Sequence, residues 1–394
     1  MGHILQCHKI TKTNFVRGQG CSLYDEQGKQ YIDFESGCWS TALGHSHLRI
    51  NQIMEAQIKK VTHLGTYYPN RLAEDAATAI LEIVGMDDGK CVFLSSGSEA
   101  VEFAVQAARR VSGKPLLLTF TNSYLAAYGS AGRKSSDEWY LLDWSICPEA
   151  ELLEHLNKIP FDKIGAFVFE PGGSGSAFVR FPPMLLVQEI AQRVKQAGGL
   201  LVANEITTGM GRTGKWFGFQ HYEVQPDIVS IGKGLGNGYP VSAIAIKREF
   251  AEKLESNGFY YVQSHQNDPL GCAIAGEVIA VFREENWVER GNAVGKYFLE
   301  GLKRFEENYE VVKEARGRGM LLGLAFHPHK SFSAESAYRA LLAQGFLAGF
   351  NPVGNLLRFD PALTISKDEV DKLLENLDQI LASVVERCPE LAEG

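Results

Sequence analysis

Between residues 90 and 250, short apolar runs alternate with amphipathic helical stretches, and this alternation restricts the fold more than any other feature of the chain. Six runs, VFLSS (92–96), LLLTF (116–120), AFVFE (166–170), LLVANE (200–205), IVSIGK (228–233) and SAIAIK (242–247), each have the length of a strand buried on both faces. Several are separated by segments whose apolar residues recur at three and four spacing, EAVEFAVQAARRV (99–111) and MLLVQEIAQRVKQAGG (184–199). The second closes in glycine, as a helix C-terminus should. Strands joined in this way predict an α/β core on a mostly parallel sheet. After about residue 290 the pattern becomes EARGRGMLLGLAF, a helix in SAESAYRALLAQG, a short strand LLRF, and a last helix opened by a capping box at Ser366 and Glu369. A smaller α+β domain is predicted there. The first fifty residues carry a hairpin signature, YDEQGKQYIDF. Grouped with the C-terminal part, they give a large domain at 50–290 and a small one formed by 1–49 plus 291–394.

Charge and composition narrow the partners. Lys+Arg number 39 against 47 Asp+Glu, a net charge of −8, and no basic run offers itself to a phosphate backbone. Nucleic acid is therefore not an expected partner. The N-terminus lacks the apolar core of a signal peptide and no 18 apolar residues are contiguous, so a cytoplasmic protein without membrane spans is expected. The seven cysteines are odd in number, scattered and never in C-x-x-C, which predicts reduced, mostly buried thiols and no metal site.

Two glycine-rich segments resemble phosphate loops and fail the test. GMGRTGKW (209–216) has Walker A spacing but ends in Trp216, where a magnesium-binding hydroxyl is required. GKGLGNG (232–238) lacks the G-x-G-x-x-G spacing of a dinucleotide loop. Inside the second, Lys233 stands at the end of an apolar run between two glycines, where ligands of open α/β sheets gather. A lysine desolvated there loses proton affinity and can form a Schiff base. Taken alone, a solvated surface lysine fits the same position.

Read together, LVANEITTGMGRTG and, after 16 intervening residues, IGKGLGNGYP resemble the class III (subgroup II) aminotransferases, fold type I pyridoxal-phosphate enzymes that include the ornithine and acetylornithine aminotransferases. The similarity extends to YIDFESG and GHSH near the start, LSSGSEAVEFAVQAAR, FEP, NDPLGCA, ARGRGMLLG and LRFDPAL. It implies a homodimer with shared active sites that moves an amino group from an amine or amino acid donor to an oxo-acid acceptor, with pyridoxal 5′-phosphate as cofactor. By the resemblance, Lys233 carries the cofactor as a Schiff base and moves the proton, and Gly97 and Ser98 form the phosphate cup at a helix N-terminus. Tyr124 corresponds to the aromatic on the pyridine ring, with Tyr128 the neighbouring alternative, and Glu170 ends a strand beside the site. Asn204 occupies the place facing the ring nitrogen, Thr207 that of the contact to the phenolic oxygen, and Ser264 that of the group reaching the partner subunit's cofactor phosphate. Arg358 corresponds to the arginine that pairs with a substrate carboxylate, and Trp39 to a residue lining the substrate pocket.

The chain also departs from the pattern. Asn204 stands where the family keeps Asp, so the charge that holds the ring nitrogen protonated is missing, and Glu205 next to it points to the opposite face of the strand. Thr207 replaces Gln, Leu125 replaces the His after the aromatic, and Gly175 stands where ornithine-type members keep a carboxylate near the substrate arginine. Beside an aminotransferase, the weaker electron sink leaves open a racemase or epimerase, an aminomutase, or a weakly catalytic cofactor-binding protein.

Overall fold

The computed structural model describes residues 3–8, 10–145, 149–172 and 178–387. Its centre is a seven-stranded sheet in the order Lys90–Leu94, Ser242–Ile246, Ile228–Ile231, Leu200–Asn204, Ile164–Phe169, Leu116–Phe120, Trp139–Leu142. From Ile228–Ile231 outward to Trp139–Leu142 all neighbours are parallel. Ser242–Ile246 runs antiparallel to both of its neighbours. Every residue of the four strands Ile164–Phe169, Leu200–Asn204, Ile228–Ile231 and Ser242–Ile246 is buried, which is why they read as unbroken apolar runs.

Alternate residues serve two cores. Leu200 and Val202 pack with Ala100, Ala104 and Ala108 of the helix Gly97–Ser112, while Leu201 and Ala203 pack with Val187 and Ile190 of the helix Met184–Gln196. The small alanines let the first helix sit close to the sheet, and its N-terminus then falls beside the carboxyl ends of the strands. That helix begins in a full capping box between Ser96 and Glu99. The second helix stops at Gln196, and Gly198 follows with a φ of +81°.

Two four-stranded sheets complete the molecule. Phe15–Gln19, Ser22–Asp25 and Gln30–Asp33 form a meander whose last strand pairs in parallel with Phe346–Leu347, so the ends of the chain share one sheet. Val312–Arg318, Leu321–Phe326, Leu356–Phe359 and Gly349–Asn351 form an antiparallel sheet. The C-terminal helix Lys367–Arg387 opens as its sequence predicts, with Glu369 accepting from the Ser366 N–H and Ser366 Oγ accepting from the Glu369 N–H.

Three expectations need correction. Strand Trp139–Leu142, WYLL, is a seventh strand beyond the six runs; it lies at the sheet edge and exposes Leu141. The run at 228–233 is a strand only to Ile231; Lys233 begins a short 3-10 turn, Lys233–Gly236. The cysteines are not mostly buried. Among the described residues Cys21 and Cys272 are buried and Cys91 is half-buried, but Cys7 lies in the exposed N-terminal segment and Cys38 in a tight turn, both exposed. All five are free thiols, and Cys147 and Cys388 lie outside the described residues.

Candidate active site

Lys233 emerges two residues past the strand end, with a φ of +45°, and its Nζ donates to Thr207 Oγ1 at 2.7 Å. Gly232 and Gly234 on either side leave little room for larger residues: a Cβ at Gly234 would lie 3.1 Å from Met210 Cβ. Burial lowers the Lys233 ammonium from 10.5 to about 8, against the opposing pull of the Glu170 carboxylate. The Nζ stands 4.2 Å from the Trp39 ring centroid, and the Arg358 guanidinium carbon stands 4.1 Å from the same ring. One indole thus touches both the cofactor lysine and the substrate arginine expected from the sequence.

Asn204 is in phase with Leu200 and Val202 and so points toward the helix Gly97–Ser112. Its Nδ2 donates to the Tyr124 carbonyl at 3.2 Å, and its Oδ1 accepts from the Ile206 N–H at 3.2 Å. An amide has two donor hydrogens and two lone pairs, so one of each remains for a ligand. Glu170, buried, accepts from the Tyr124 N–H at 3.4 Å. Tyr124 itself presents its ring outward, 55% exposed. Glu205 points to the other side, as predicted, and its carboxylate accepts from the Gly218 and Phe219 N–H groups at 2.8 and 2.7 Å and from Thr208 Oγ1 at 2.7 Å.

At the helix N-terminus, Glu99 accepts from the N–H groups of Ser95 and Ser96, while Ser98 Oγ accepts from the Ala127 N–H. Within the described residues those of Gly97 and Ser98 have no partner, and they lie where the helix dipole favours an anion. Gly97 must be glycine here, because a Cβ would lie 2.7 Å from Ile206 Cγ2.

Arg358 is already engaged. Its Nε donates to Asp360 Oδ1 at 2.9 Å and its second terminal nitrogen to Glu35 Oε1 at 3.1 Å, with 7% of the residue exposed. Glu35 was not foreseen. Burial, and after it the neighbouring Asp360, raise its carboxyl to about 7. It precedes a turn in which Ser36, Gly37, Cys38 and Trp39 have φ of +45, +57, +58 and +69°. Three non-glycine residues in the left-handed region cost about 1 to 2 kcal/mol each. The turn is held by Asp33 Oδ1, which accepts from the Glu35 and Ser36 N–H groups, by the Ser36 hydroxyl donating to the Asp360 carbonyl, and by Arg212, which donates to Ser36 Oγ. Such strain persists where the surroundings over-determine it, and here it turns Trp39 between the two cations.

Two sequence-derived positions stand outside this cluster. Ser264 is exposed on the loop between the helices Arg248–Ser256 and Pro269–Glu284 and joins none of these contacts. Gly175 lies outside the described residues.

Comparison with known proteins bears on what this cluster does. The family model described as aminotransferase class III matches residues 6–128 and 141–381. The chain belongs to the class III aminotransferase family. It is 31% identical over 379 residues to the acetylornithine aminotransferase of Archaeoglobus fulgidus, covering 95% of this chain and 96% of that protein. It is also 31% identical to the acetylornithine aminotransferase of Methanopyrus kandleri, covering 93% of each. Among solved structures it resembles a transaminase from the marine bacterium Virgibacillus, with 25% identity, a TM-score of 0.89 and coverage of 98% of this chain and 97% of that one. The acetylornithine aminotransferase of Elizabethkingia anophelis gives 26%, 0.83, 97% and 96%.

This protein is thus a class III, pyridoxal-phosphate-dependent aminotransferase of fold type I, and the comparisons favour none of the other readings of Asn204. Its residues fit the cofactor: a desolvated amine on Lys233, a glycine cradle with two unpartnered N–H groups at 97 and 98, and spare hydrogen-bonding capacity on Asn204. Among the described residues no helix is long and apolar enough to cross a membrane.

Proposed function

We propose that Lys233 is the amine that binds pyridoxal 5′-phosphate covalently and then carries the proton in transfer of an amino group from an amine or amino acid to an oxo acid. The observation that carries this reading is the placement of the Lys233 Nζ, half-buried just past the strand end between Thr207 Oγ1 and the Trp39 ring. When bound, the cofactor supplies the electron sink that lets the donor's α-proton leave. An amine whose proton affinity sits near pH 8 exists in both forms under physiological conditions, as a group that both takes and returns a proton requires. Thr207 Oγ1 holds the Nζ in line, and the Trp39 ring covers it from solvent on one side. The N–H groups of Gly97 and Ser98 would hold the cofactor phosphate, Asn204 the ring nitrogen and Tyr124 the ring face. Glu170 fixes the Tyr124 backbone.

In this reading residues 50–290 hold the cofactor, and residues 1–49 with 291–394 contribute Trp39, Glu35 and Arg358. Arg358 takes the oxo acid's carboxylate once Glu35 releases it, and Ser264 serves the cofactor phosphate of the partner subunit in a cytoplasmic homodimer. Acetylornithine, for which the relatives are named, is the first donor to test, although Thr207 and Leu125 depart from the pattern of that group. Borohydride reduction of the holoenzyme followed by peptide mapping should place the pyridoxyl label on Lys233. A label on any other lysine would overturn the reading.

A further inference from the structure

The loop that carries Ser264 holds a second cluster that the aminotransferase chemistry does not use. His63, on the segment after the helix Leu48–Ile58, brings Nδ1 to 2.6 Å from Asp268 Oδ1. His265 brings its Nδ1 to the other oxygen, Asp268 Oδ2. The two imidazole rings lie 4.8 Å apart, and the three ligand atoms are all within 4.8 Å of one another. The carboxylate is well shielded, with 14% of its side chain exposed, whereas the imidazoles are 47% and 60% exposed, so the cluster has an anchored floor and an open mouth. A cavity of about 230 Å³, bordered by His265 and Asp268 with Ser95 and Tyr239, adjoins it.

From this geometry we propose that His63, His265 and Asp268 form a binding site for a divalent transition-metal cation, with zinc the best match. Two imidazoles and one carboxylate are a set that zinc accepts, at metal–ligand lengths of about 2.0 to 2.2 Å, and a fourth position is commonly water. Around a tetrahedral ion those lengths set neighbouring ligand atoms about 3.3 Å apart. The 2.6 Å separation of His63 Nδ1 and Asp268 Oδ1 therefore has to open by less than an ångström, within reach of the exposed His63 side chain. The proton each Nδ1 now offers to the carboxylate moves through water to Nε2 of the same ring, so neutral imidazoles bind the cation without net proton release. Water from the adjoining cavity or from solvent completes the coordination.

Binding would act on the fold at one place. Without metal, the segment around residue 63 is tied to the loop by the His63–Asp268 contact and by Asn70 Nδ2 donating to the Asn267 carbonyl at 2.7 Å. The Asn267 side chain in turn accepts from the Phe93 N–H at 2.9 Å, within the strand Lys90–Leu94 that leads to Gly97. A metal ion replaces a pair of hydrogen bonds with coordinate bonds and stiffens the residue next to Ser264. The site stands on its own geometry, whichever role Lys233 plays.

The test uses chelator-treated holoenzyme. Equilibrium dialysis against zinc with metal analysis should find saturable binding of one ion per chain, and cobalt should give a visible absorption band in the same stoichiometry. His63→Gln and His265→Gln each keep a donor for Asp268 while removing a metal ligand, and each should weaken zinc binding by at least about tenfold. The double variant should bind none at micromolar zinc while keeping the cofactor absorbance of the holoenzyme. Absence of saturable binding below about 1 mM zinc overturns the proposal. So does zinc binding of wild-type strength in the double variant, which would assign the metal to histidines elsewhere on the surface.

Discussion

Two networks of buried polar groups meet at the same end of the large sheet, and they are built on different terms. On the interior side, Glu205 and Arg212 finish mostly on main chain, with Thr208 Oγ1 and Ser36 Oγ as their side-chain partners. Glu205 accepts from the N–H groups of Gly218 and Phe219, and Arg212 donates to the carbonyls of Met320 and Pro361 and to Ser36 Oγ. On the cleft side, side chains meet side chains: Lys233 on Thr207 and Trp39, Arg358 on Glu35, Asp360 and Trp39. A partner on the main chain cannot leave without unfolding a segment, whereas a carboxylate on a side chain can be exchanged for a ligand's carboxylate. The first network sets the frame, and the second is the part a substrate can rearrange.

If this division holds, the largest effect belongs to the cleft lysine. On the role proposed for Lys233, Lys233→Met removes the group that binds the cofactor and moves the proton, and kcat should fall by at least about 1,000-fold, within the span known for general acid–base groups. Stability should move the other way. Burial lowers the folded-state proton affinity of Lys233 from 10.5 to about 8. Between those values the folded protein binds fewer protons than the unfolded chain, so the lysine's unfavourable contribution is complete below pH 8 and fades as pH rises to 10.5. The apo variant should therefore melt above the wild-type apoprotein at pH 7, and the gap should close by pH 10.5. A kcat within tenfold of wild type would remove Lys233 from the chemistry.

The interior network gives the contrasting outcome. Arg212 is fully buried, and desolvation lowers its guanidinium to about 10 despite Asp360 and Asp33 nearby. Arg212→Met strands the Met320 and Pro361 carbonyls and should cost about 3 to 5 kcal/mol, seen as a drop of several degrees in Tm and lower folded yield. The folded fraction should keep kcat within about tenfold, since Arg212 reaches the cleft only through Ser36 in the turn that carries Trp39. If kcat collapses while Tm stays put, the division between frame and cleft is wrong.

Asn204 tests the cleft at finer scale. If Asn204 holds the ring nitrogen as proposed, Asn204→Asp supplies a charge there and should accelerate the half-reaction with an amino donor by roughly tenfold to a hundredfold, about 1 to 3 kcal/mol. In the apoprotein the same change is harmful. A carboxylate oxygen would replace the Nδ2 that now donates to the Tyr124 carbonyl at 3.2 Å, setting two acceptors face to face. Tm of the apo variant should fall, and cofactor should restore it by more than it stabilises the wild type. An unchanged rate together with unchanged apo and holo Tm would mean that Asn204 faces neither the ring nitrogen nor Tyr124.

How much of this the sequence discloses follows from burial and chain separation. Leu200–Asn204 is legible because both its faces are covered, and Lys233 because a strand end and two glycines surround it. Trp139–Leu142 is less so, since its four apolar residues are only partly covered at the sheet edge and are too few to show an alternation. Arg212 reads as part of a glycine-rich segment, and nothing local signals a fully buried arginine. Glu35 is 323 positions from Arg358, and the pairing depends on a left-handed turn that no propensity favours. His63 and Asp268 are 205 positions apart and meet only because the segment after residue 58 folds against the loop before Pro269.

The smallest effect is the one that tests exchange itself. Glu35 occupies a terminal nitrogen of Arg358 that an incoming carboxylate needs, and it shares its surroundings with Asp360, Asp33 and Cys38. Its carboxyl is raised to about 7, first by burial and then by Asp360, so above that pH the competitor is charged and below it largely neutral. In the wild type the KM for a 2-oxo acid should therefore rise with pH through about 7. Glu35→Gln keeps the shape and removes the charge. At pH 8 it should lower that KM by roughly two- to fivefold, the scale of a partly exposed ion pair, and by pH 6 the difference should vanish. An amine donor without a carboxylate supplies the control, because its KM has no competitor to escape and should be the same in both proteins. An equal fall for both substrates would mean that the Glu35 charge acts on the cleft as a whole rather than by competing for Arg358, and no change for either would mean that Arg358 belongs with Arg212 in the frame.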